Sequence, residues 1–260
     1  MTNDDLKEKI INEMLKICTN SKNALPNNHR IAIFDNPLIG FASANDPLFL
    51  KLKEPEVVGP HYKLPRDWLP DAKSVIAYFL PFSSVIKKAN RKPGLPAMEW
   101  VYGRIEGEEF NVFMRQSIIR LIEQNGGKAV APLLEEDYKV SNLRANWSER
   151  HAAYIAGLGT FGLSKSLITA KGCAGRYGSV ITNLELTPDK QKYQVHHAFC
   201  RNCGKCVEKC PSGAITPEGK NVNVCYQYLR NVIKPQFAPR YGCGKCQTGV
   251  PCESSFPVYN

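Results

Sequence analysis

No stretch of this chain approaches the roughly 18 consecutive apolar residues that cross a bilayer. The N-terminus MTNDDLKEKIINEMLK is polar and charged where an export signal would carry an apolar core and a cleavage site. A cytoplasmic protein with no membrane anchor is expected. Signatures of nucleic-acid binding are also scarce: there is no long Lys/Arg run, no basic helix and no stacking-aromatic motif. Acidic residues are the minority, 24 Asp and Glu against 34 Lys and Arg, for a net charge of +10. The imbalance is uneven, because residues 191 to 260 hold nine Lys or Arg and three Asp or Glu. With 260 residues and 43% hydrophobic content, the chain can build one large domain or two small ones with a core that needs no disulfides.

What the chain has in abundance is cysteine. The run CRNCGKCVEKCP, Cys200 to Pro211, places three cysteines two residues apart and a fourth before proline, the ligand spacing of a low-potential [4Fe-4S] site. In the two-cluster pattern that fourth cysteine serves the other cluster, so further ligands are required downstream. Cys225, Cys243, Cys246 and Cys252 supply them. The expected assignment is Cys200, Cys203, Cys206 and Cys252 on one cluster, with Cys210, Cys225, Cys243 and Cys246 on the other. A disulfide framework belongs to an oxidising compartment, which the N-terminus argues against. One zinc on Cys203, Cys206, Cys243 and Cys246 would leave four cysteines unexplained. Each cluster with its thiolates carries about −2, so the basic tail partly offsets two of them. The remaining positive charge suits weak attraction to an acidic electron donor.

Cys18 and Cys173 are left over, and Cys18, at the end of a helical pattern, reads as a buried thiol. His196 and His197 precede the first motif and are read as non-ligands, since eight thiolates already satisfy two clusters.

Residues 4 to 18 read as an amphipathic helix, with Leu6, Ile10, Met14 and Ile17 inward. Residues 31 to 34 read as a strand. Pro37 to Pro70, rich in proline and aromatics, reads as an ordered, irregular surface loop with short elements, able to form a lid. SVIAYFLPF at 74 to 82 is a buried strand, 108 to 124 a helix closed by Asn125-Gly126-Gly127, and 128 to 132 the next strand. Asn146 and Glu149 form a capping-box pattern opening a helix that Gly157 ends. Residues 179 to 186 alternate as a strand. The order predicts an α/β (α+β) core over residues 1 to 190 and a ferredoxin-like domain over 191 to 260.

GLGTFG contains Gly157, Gly159 and Gly162 in the G-x-G-x-x-G arrangement, but it follows a helix rather than a strand, which fails the context of a dinucleotide fold. Six glycines between 157 and 178 can serve tight turns or let backbone approach a large ligand.

The segment NWSERHAAYIAGLGTFGLSKSLITAKGCAGRYGSVITNLEL, followed by CRNCGKCVEKCPSGAIT and YGCGKCQ, resembles epoxyqueuosine reductases, above all short epoxyqueuosine reductase-like iron-sulfur proteins, and more distantly corrinoid-dependent reductive dehalogenases. The resemblance implies two [4Fe-4S] clusters, a base-off cobalamin and a core related to flavin nitroreductases. It implies that Gly157, Gly159, Gly162, Ser164, Thr169, Gly178, Ser179 and Thr182 line the corrinoid, with Lys165 and Arg176 meeting its tail phosphate. A low-potential donor, a ferredoxin or flavodoxin, would feed the clusters.

Two departures are visible. The acidic proton donor of the relatives has no counterpart ahead of the AGLG segment, where Glu149 is the one acid and reads as a helix cap. Tyr102, His151 and Tyr154 are the candidate proton donors in its place. The chain also ends eight residues after Cys252, without the helical-repeat extension of the full-length tRNA enzymes, so a tRNA substrate is not expected. Three functions follow: a corrinoid-dependent reductase of a small substrate, an electron-transfer protein reducing a partner such as a corrinoid protein, or a flavin-binding reductase.

Overall fold

The computed structural model describes residues 3–189, 193 and 195–257; the expected domain boundary at 190/191 lies outside them. Its helices are α1 (Asn3–Ile17), α2 (Pro47–Lys51), α3 (Pro65–Trp68), α4 (Ser84–Asn90), α5 (Met98–Gln124), α6 (Glu149–Ile155), α7 (Lys205–Glu208), α8 (Val222–Tyr228) and α9 (Lys234–Phe237). Its strands are β1 (Ala24–Leu25), β2 (Asn28–Ala32), β3 (Leu38–Ser43), β4 (Ser74–Pro81), β5 (Ala129–Val130), β6 (Val140–Ser141), β7 (Arg144–Ala145), β8 (Gly159–Phe161), β9 (Leu167–Thr169), β10 (Gly175–Thr182), β11 (Ile215–Thr216) and β12 (Gly219–Lys220).

The core is a sheet in the order β3-β4-β10-β5, antiparallel throughout. This is the α+β form of the expected class. β4 is buried along its whole length, and its side chains alternate between two apolar layers. Ile76, Tyr78 and Leu80 pack with α1 and α5, whereas Val75, Ala77 and Phe79 pack with Trp147 and α6. A strand covered on both faces needs a continuous apolar run, which is why SVIAYFLP is legible in sequence. α1 buries Leu6, Ile10, Met14 and Ile17 as its periodicity requires.

Four expectations are corrected. Within the presumed loop from Pro37 to Pro70, Leu38–Ser43 is a core strand; its Gly40 lies so close to α6 that a Cβ there would stand 2.5 Å from the Ala156 carbonyl oxygen. The strand expected at 31 to 34 is Asn28–Ala32, followed by a single bridge from Phe34 to Phe82. α5 starts at Met98, ten residues before the expected start; Gly103 and Gly107 lower local helix propensity and so mask its first turns in the sequence. Those glycines admit the rings of Phe82 and Phe34, which a Cβ would meet at 2.7 and 2.9 Å. The last strand begins at Gly175 and stops at Thr182 rather than running from 179 to 186.

Two features position the site. β5 pairs only with Ile181 and Thr182 of β10, so the edge of β10 from Gly175 to Val180 is open to side chains of α5 and α6. The cysteine-rich tail docks on the core at several points. Cys173 and Ala174 donate backbone hydrogen bonds to the carbonyls of Cys252 and Glu253 at 2.9 and 3.3 Å. Arg91 pairs with the buried Glu253 at 2.7 Å, and the Lys245 ammonium reaches the Asn90 carbonyl at 3.1 Å. No helix among the described residues is long and apolar enough to cross a membrane.

Candidate metal centre and adjoining cleft

Four of the eight motif thiols gather at one cavity, and Cys210, Cys225, Cys243 and Cys246 act on one another electrostatically. Cys200, Cys203, Cys206 and Cys252 line one cavity, together with Gly162, Leu163 and Ser164 of the β8–β9 hairpin. The short α7 carries Cys206 and begins after Gly204, whose left-handed backbone (φ 73°) turns the chain between the second and third cysteines. Burial and the neighbouring thiols Cys246, Cys252, Cys200 and Cys203 push the Cys206 thiol up to about 11. In the other set, burial raises Cys243 to about 11, with Cys246 and Cys225 adding to it. Cys246 is raised by burial and by Cys225 and Cys210.

Thiolates crowded together resist ionisation unless a cationic core joins them, so this donor set fits a metal-sulfide cluster. Among the described residues no three His, Cys, Asp or Glu side chains form a group that could hold one metal ion. The two sets adjoin where Cys206 feels Cys246. His196 and His197 are exposed and face each other.

One participant was not legible in the sequence. Cys173, buried immediately before β10, donates its thiol hydrogen to the Cys252 sulfur at 3.8 Å. That hydrogen bond and burial hold the Cys173 thiol well above its ordinary range, while the same bond lowers Cys252. Its signal was weak: a cysteine outside the ligand spacing, 27 residues before the first motif.

A network of charged groups fills the open edge of β10. Arg104, Glu108, Asn111 and Arg115 follow at helical steps of four, three and four on one face of α5. Glu108 accepts from Arg115 at 2.8 Å and pairs with Arg176 of β10. Arg115 also reaches Glu149 at 3.1 Å. The unpaired edge carbonyl of Tyr177 accepts from Asn111 at 3.0 Å and Arg115 at 3.3 Å. Ser179 donates to Glu149 and accepts from the Trp147 indole N–H at 2.9 Å.

Glu108 is held down at about 2; its burial opposes this, but Arg176 and Arg115 outweigh it. Burial raises Glu149 against the pull of Arg115. Glu149 is therefore a buried ion-pair carboxylate rather than the expected helix cap. Ser148 holds the cap position without a side-chain bond, and the Asn146 side chain instead ties the backbone of Lys139 and Asp137.

The remaining site residues fall in different places. Gly157 terminates α6 with φ 75°. Gly159 lies in the β8–β9 hairpin, where a Cβ would meet the Ile168 carbonyl oxygen at 2.1 Å. A Cβ on Gly178 would meet the Tyr78 hydroxyl at 2.2 Å. The Thr169 hydroxyl donates to the Gly172 carbonyl at 2.7 Å, and that of Thr182 to the Lys128 carbonyl at 2.9 Å. Thr169, Ser179 and Thr182 are fully buried with protein partners. Gly162 and Ser164 line the first thiol cavity, Lys165 is exposed at the hairpin tip, and Arg176 is only partly buried.

His151 accepts or donates at Ser148 Oγ, 2.8 Å away, and its ring lies against Phe161, as does that of Tyr154. Burial and Arg150 push His151 down to about 4. It is therefore neutral at neutral pH, which corrects the expectation that it holds a proton there. Tyr102 lies elsewhere, on α5, under the Arg240 guanidinium at 4.9 Å. Among the described residues no hydrogen bond or ring contact joins it to His151.

Comparison with known proteins agrees with the resemblance read from the sequence. The 4Fe-4S binding domain family matches residues 193–216. An epoxyqueuosine reductase of Bacillus cereus is 27% identical over 216 residues, covering 75% of this chain and 52% of its own. The chain thus spans about half the length of that curated relative. A crystal structure of epoxyqueuosine reductase with a tRNA-Tyr epoxyqueuosine-modified stem loop superposes with a TM-score of 0.57 at 20% identity, covering 99% of this chain and 68% of the other. A reductive dehalogenase structure described in connection with B12-dependent dehalogenation gives a TM-score of 0.54 at 16% identity, over 85% of this chain and 30% of the other.

Proposed function

We propose that this protein is an iron-sulfur oxidoreductase in which eight thiolates hold two [4Fe-4S] clusters. Cys200, Cys203, Cys206 and Cys252 would hold the first and Cys210, Cys225, Cys243 and Cys246 the second. The observation that carries this reading is the cavity lined by Cys200, Cys203, Cys206 and Cys252, drawn from both ends of the tail, within and beyond the segment that matches the 4Fe-4S binding domain family; the mutual electrostatic action of the other four thiols supports the second cluster. When bound, such clusters supply one-electron transfer at low potential. The chain's own part is to hold the thiolates partly buried, with Cys203 exposed, to offset their charge with Lys205, Lys220 and Lys245, and to seat the tail against α4 and α5.

The names of the relatives support a reductase, and a structure described in connection with B12-dependent dehalogenation supports a corrinoid as electron acceptor; a core related to that of flavin nitroreductases is proposed on the sequence resemblance alone. Of the ten residues expected to line the corrinoid, Thr169, Gly178, Ser179 and Thr182 are occupied by interior packing and hydrogen bonds, and Gly159 by its own hairpin. The corrinoid proposal therefore rests on the relatives, on Gly162 and the buried Ser164 at the first thiol cavity, and on the accessible Lys165 and partly buried Arg176. A ferredoxin or flavodoxin is the proposed donor and a small molecule the proposed substrate. The expectation against tRNA is weakened, since a structure of the same fold holds a tRNA stem loop, and an RNA stem loop belongs among the substrates tried.

The test is anaerobic purification with metal, sulfide and spectroscopic analysis. About eight iron and eight sulfide per chain, with two interacting paramagnets on reduction, is the expected result. Zinc in place of iron, or about four iron per chain, overturns it. Added cobalamin should bind saturably and turn base-off; flavin bound one to one in its place would overturn the corrinoid acceptor and leave the clusters standing.

A further inference from the structure

The helical run from Val222 to Phe237 joins α8, a π-helical turn at Leu229–Ile233 and α9, and it is built unlike α1 and α5. Those helices each bury a whole face, whereas Ile233 is the one buried residue of this run. Cys225, Leu229 and Phe237 are partly buried and mark its inward side. Two flanks look outward, each with residues four apart, the spacing of neighbours on a helix surface. Tyr226, Arg230 and Lys234 form one flank and are exposed. Val224, Tyr228 and Val232 form the other, with both valines exposed and Tyr228 partly buried. Cys225, a ligand proposed for the second cluster, lies between Val224 and Tyr226 and so directly beneath both flanks.

Charge singles out the same surface. From Gly219 to Cys252 the sequence holds five Lys or Arg and no Asp or Glu. Three of the five are committed within the fold: Arg240 pairs with Glu106, Lys245 is buried against the Asn90 and Lys92 carbonyls, and Lys220 acts on Cys246. Arg230 and Lys234 make no hydrogen bond or ion pair among the described residues. Exposed apolar side chains beside unmatched cations suit contact with an acidic protein, since the apolar part excludes water and the cations steer the encounter. RNA fits less well, because two free cations give few phosphate contacts and the valines give none.

We propose that the outward surface of residues 222–237 is the docking site of an acidic electron-donor protein, with Tyr226, Arg230 and Lys234 on its cationic flank and Val224 and Val232 on its apolar one. The position of Cys225 makes the second cluster the point of entry. One electron leaves the reduced donor, which is thereby oxidised, and reduces the second cluster by one electron; no bond forms or breaks and no proton is required. This inference rests on the two-cluster reading and adds to it the surface that meets the donor and the charge the donor carries.

The experiment takes the cluster-loaded chain, kept anaerobic, and two acidic probes, a flavodoxin and a [2Fe-2S] ferredoxin, at several ionic strengths. Calorimetry reads affinity, hydrogen exchange reads the footprint, and stopped-flow absorbance reads reduction by each reduced probe and by dithionite. At least one probe should bind saturably and protect backbone amides within 222–237. Arg230→Glu combined with Lys234→Glu should weaken binding and slow reduction by the probe about tenfold at low salt, an effect that shrinks as salt is added. Val224→Ser combined with Val232→Ser should weaken binding with little salt dependence, and the exposed Lys51→Glu on α2 should leave it unchanged. Parental iron content and dithionite reduction in every variant guard against misfolding. If the parent binds neither probe, is protected elsewhere, or matches the charge-reversed variant in affinity, the docking site is overturned while normal iron leaves the clusters standing. Helix protection that rises with protein concentration alone, or an RNA stem loop that binds through Arg230 and Lys234 where neither probe does, overturns it as well. Iron content in the parent too low for two clusters overturns the two-cluster reading and the docking site with it.

Discussion

The Cys173 thiol donates a hydrogen bond to the sulfur of Cys252, a residue 79 positions away that closes the first set of thiols. Hydrogen bonds to ligand sulfurs stabilise the reduced, more negative cluster and so raise its potential. Cys173→Ala should lower the midpoint potential of the first-set cluster by roughly 40 mV, taking about 1 kcal/mol for the bond and 59 mV per tenfold for one electron. An EPR-monitored redox titration checks this. An unchanged potential in a variant with full iron content would remove Cys173 from any role at the cluster.

Arg115 ties α5 to α6 through Glu149 and pairs with Glu108 of its own helix, while donating to the Tyr177 carbonyl on the open edge of β10. Arg115→Met leaves the buried Glu149 without its cation and Glu108 with Arg176 alone, and should cost about 3–5 kcal/mol in unfolding free energy. Glu149→Gln keeps the shape and a hydrogen-bonding oxygen and should cost less. Chemical denaturation of the two variants gives the ranking, and a larger loss for Glu149→Gln would contradict the network as described.

Acid should weaken this fold in two stages. His151 is pushed down to about 4 in the folded chain from an ordinary value of 6.5, so the unfolded chain binds more protons between those values and stability falls as pH drops through that window. Glu108, held at about 2 against 4.5, contributes stability that is present above 4.5 and lost as pH falls toward 2. Glu149, raised by burial, acts in the opposite sense. His151→Asn should flatten the dependence of unfolding free energy on pH between about 6.5 and 4 and leave the lower stage intact; the same slope in variant and parent would show that His151 does not set it.

Gly244 packs flat on Trp100 with φ 64°, and a Cβ there would meet the indole ring at 1.9 Å. Gly244→Ala must displace either Trp100 or the turn between Cys243 and Cys246. Iron should fall toward about four per chain, with the first-set cluster retained. Full iron content in the purified variant would show that the turn tolerates the shift.

Chain chemistry that acts locally was readable before any fold was known. The ligand spacing of the cysteines depends on residues a few positions apart, and Leu6, Ile10, Met14 and Ile17 reveal α1 because one helix face is buried. The all-apolar β4 reveals itself because both its faces are covered. Other elements were hidden for reasons just as physical. Gly103 and Gly107 weaken the helical signal of α5 locally, but that cost is recovered by admitting Phe34 and Phe82. Leu38–Ser43 reads as loop beside its prolines, and pairing with β4 makes it a strand. Gly178 looks like a ligand cradle in sequence and is packed against Tyr78 in the fold.

By itself the sequence determined the 4Fe-4S motif from Cys200 to Pro211, the balance of charge along the chain and the faces that must be buried, since each follows from short-range spacing and composition. Tertiary structure alone decided that Glu149 pairs with Arg115 instead of capping its helix, that Cys173 meets Cys252, and that Arg115 and Arg176 share Glu108. The two ion-pair outcomes depend on the two-residue length of β5, which leaves most of β10 without a neighbouring strand, and no local pattern encodes which side chains will fill an edge left open by a strand that stops early.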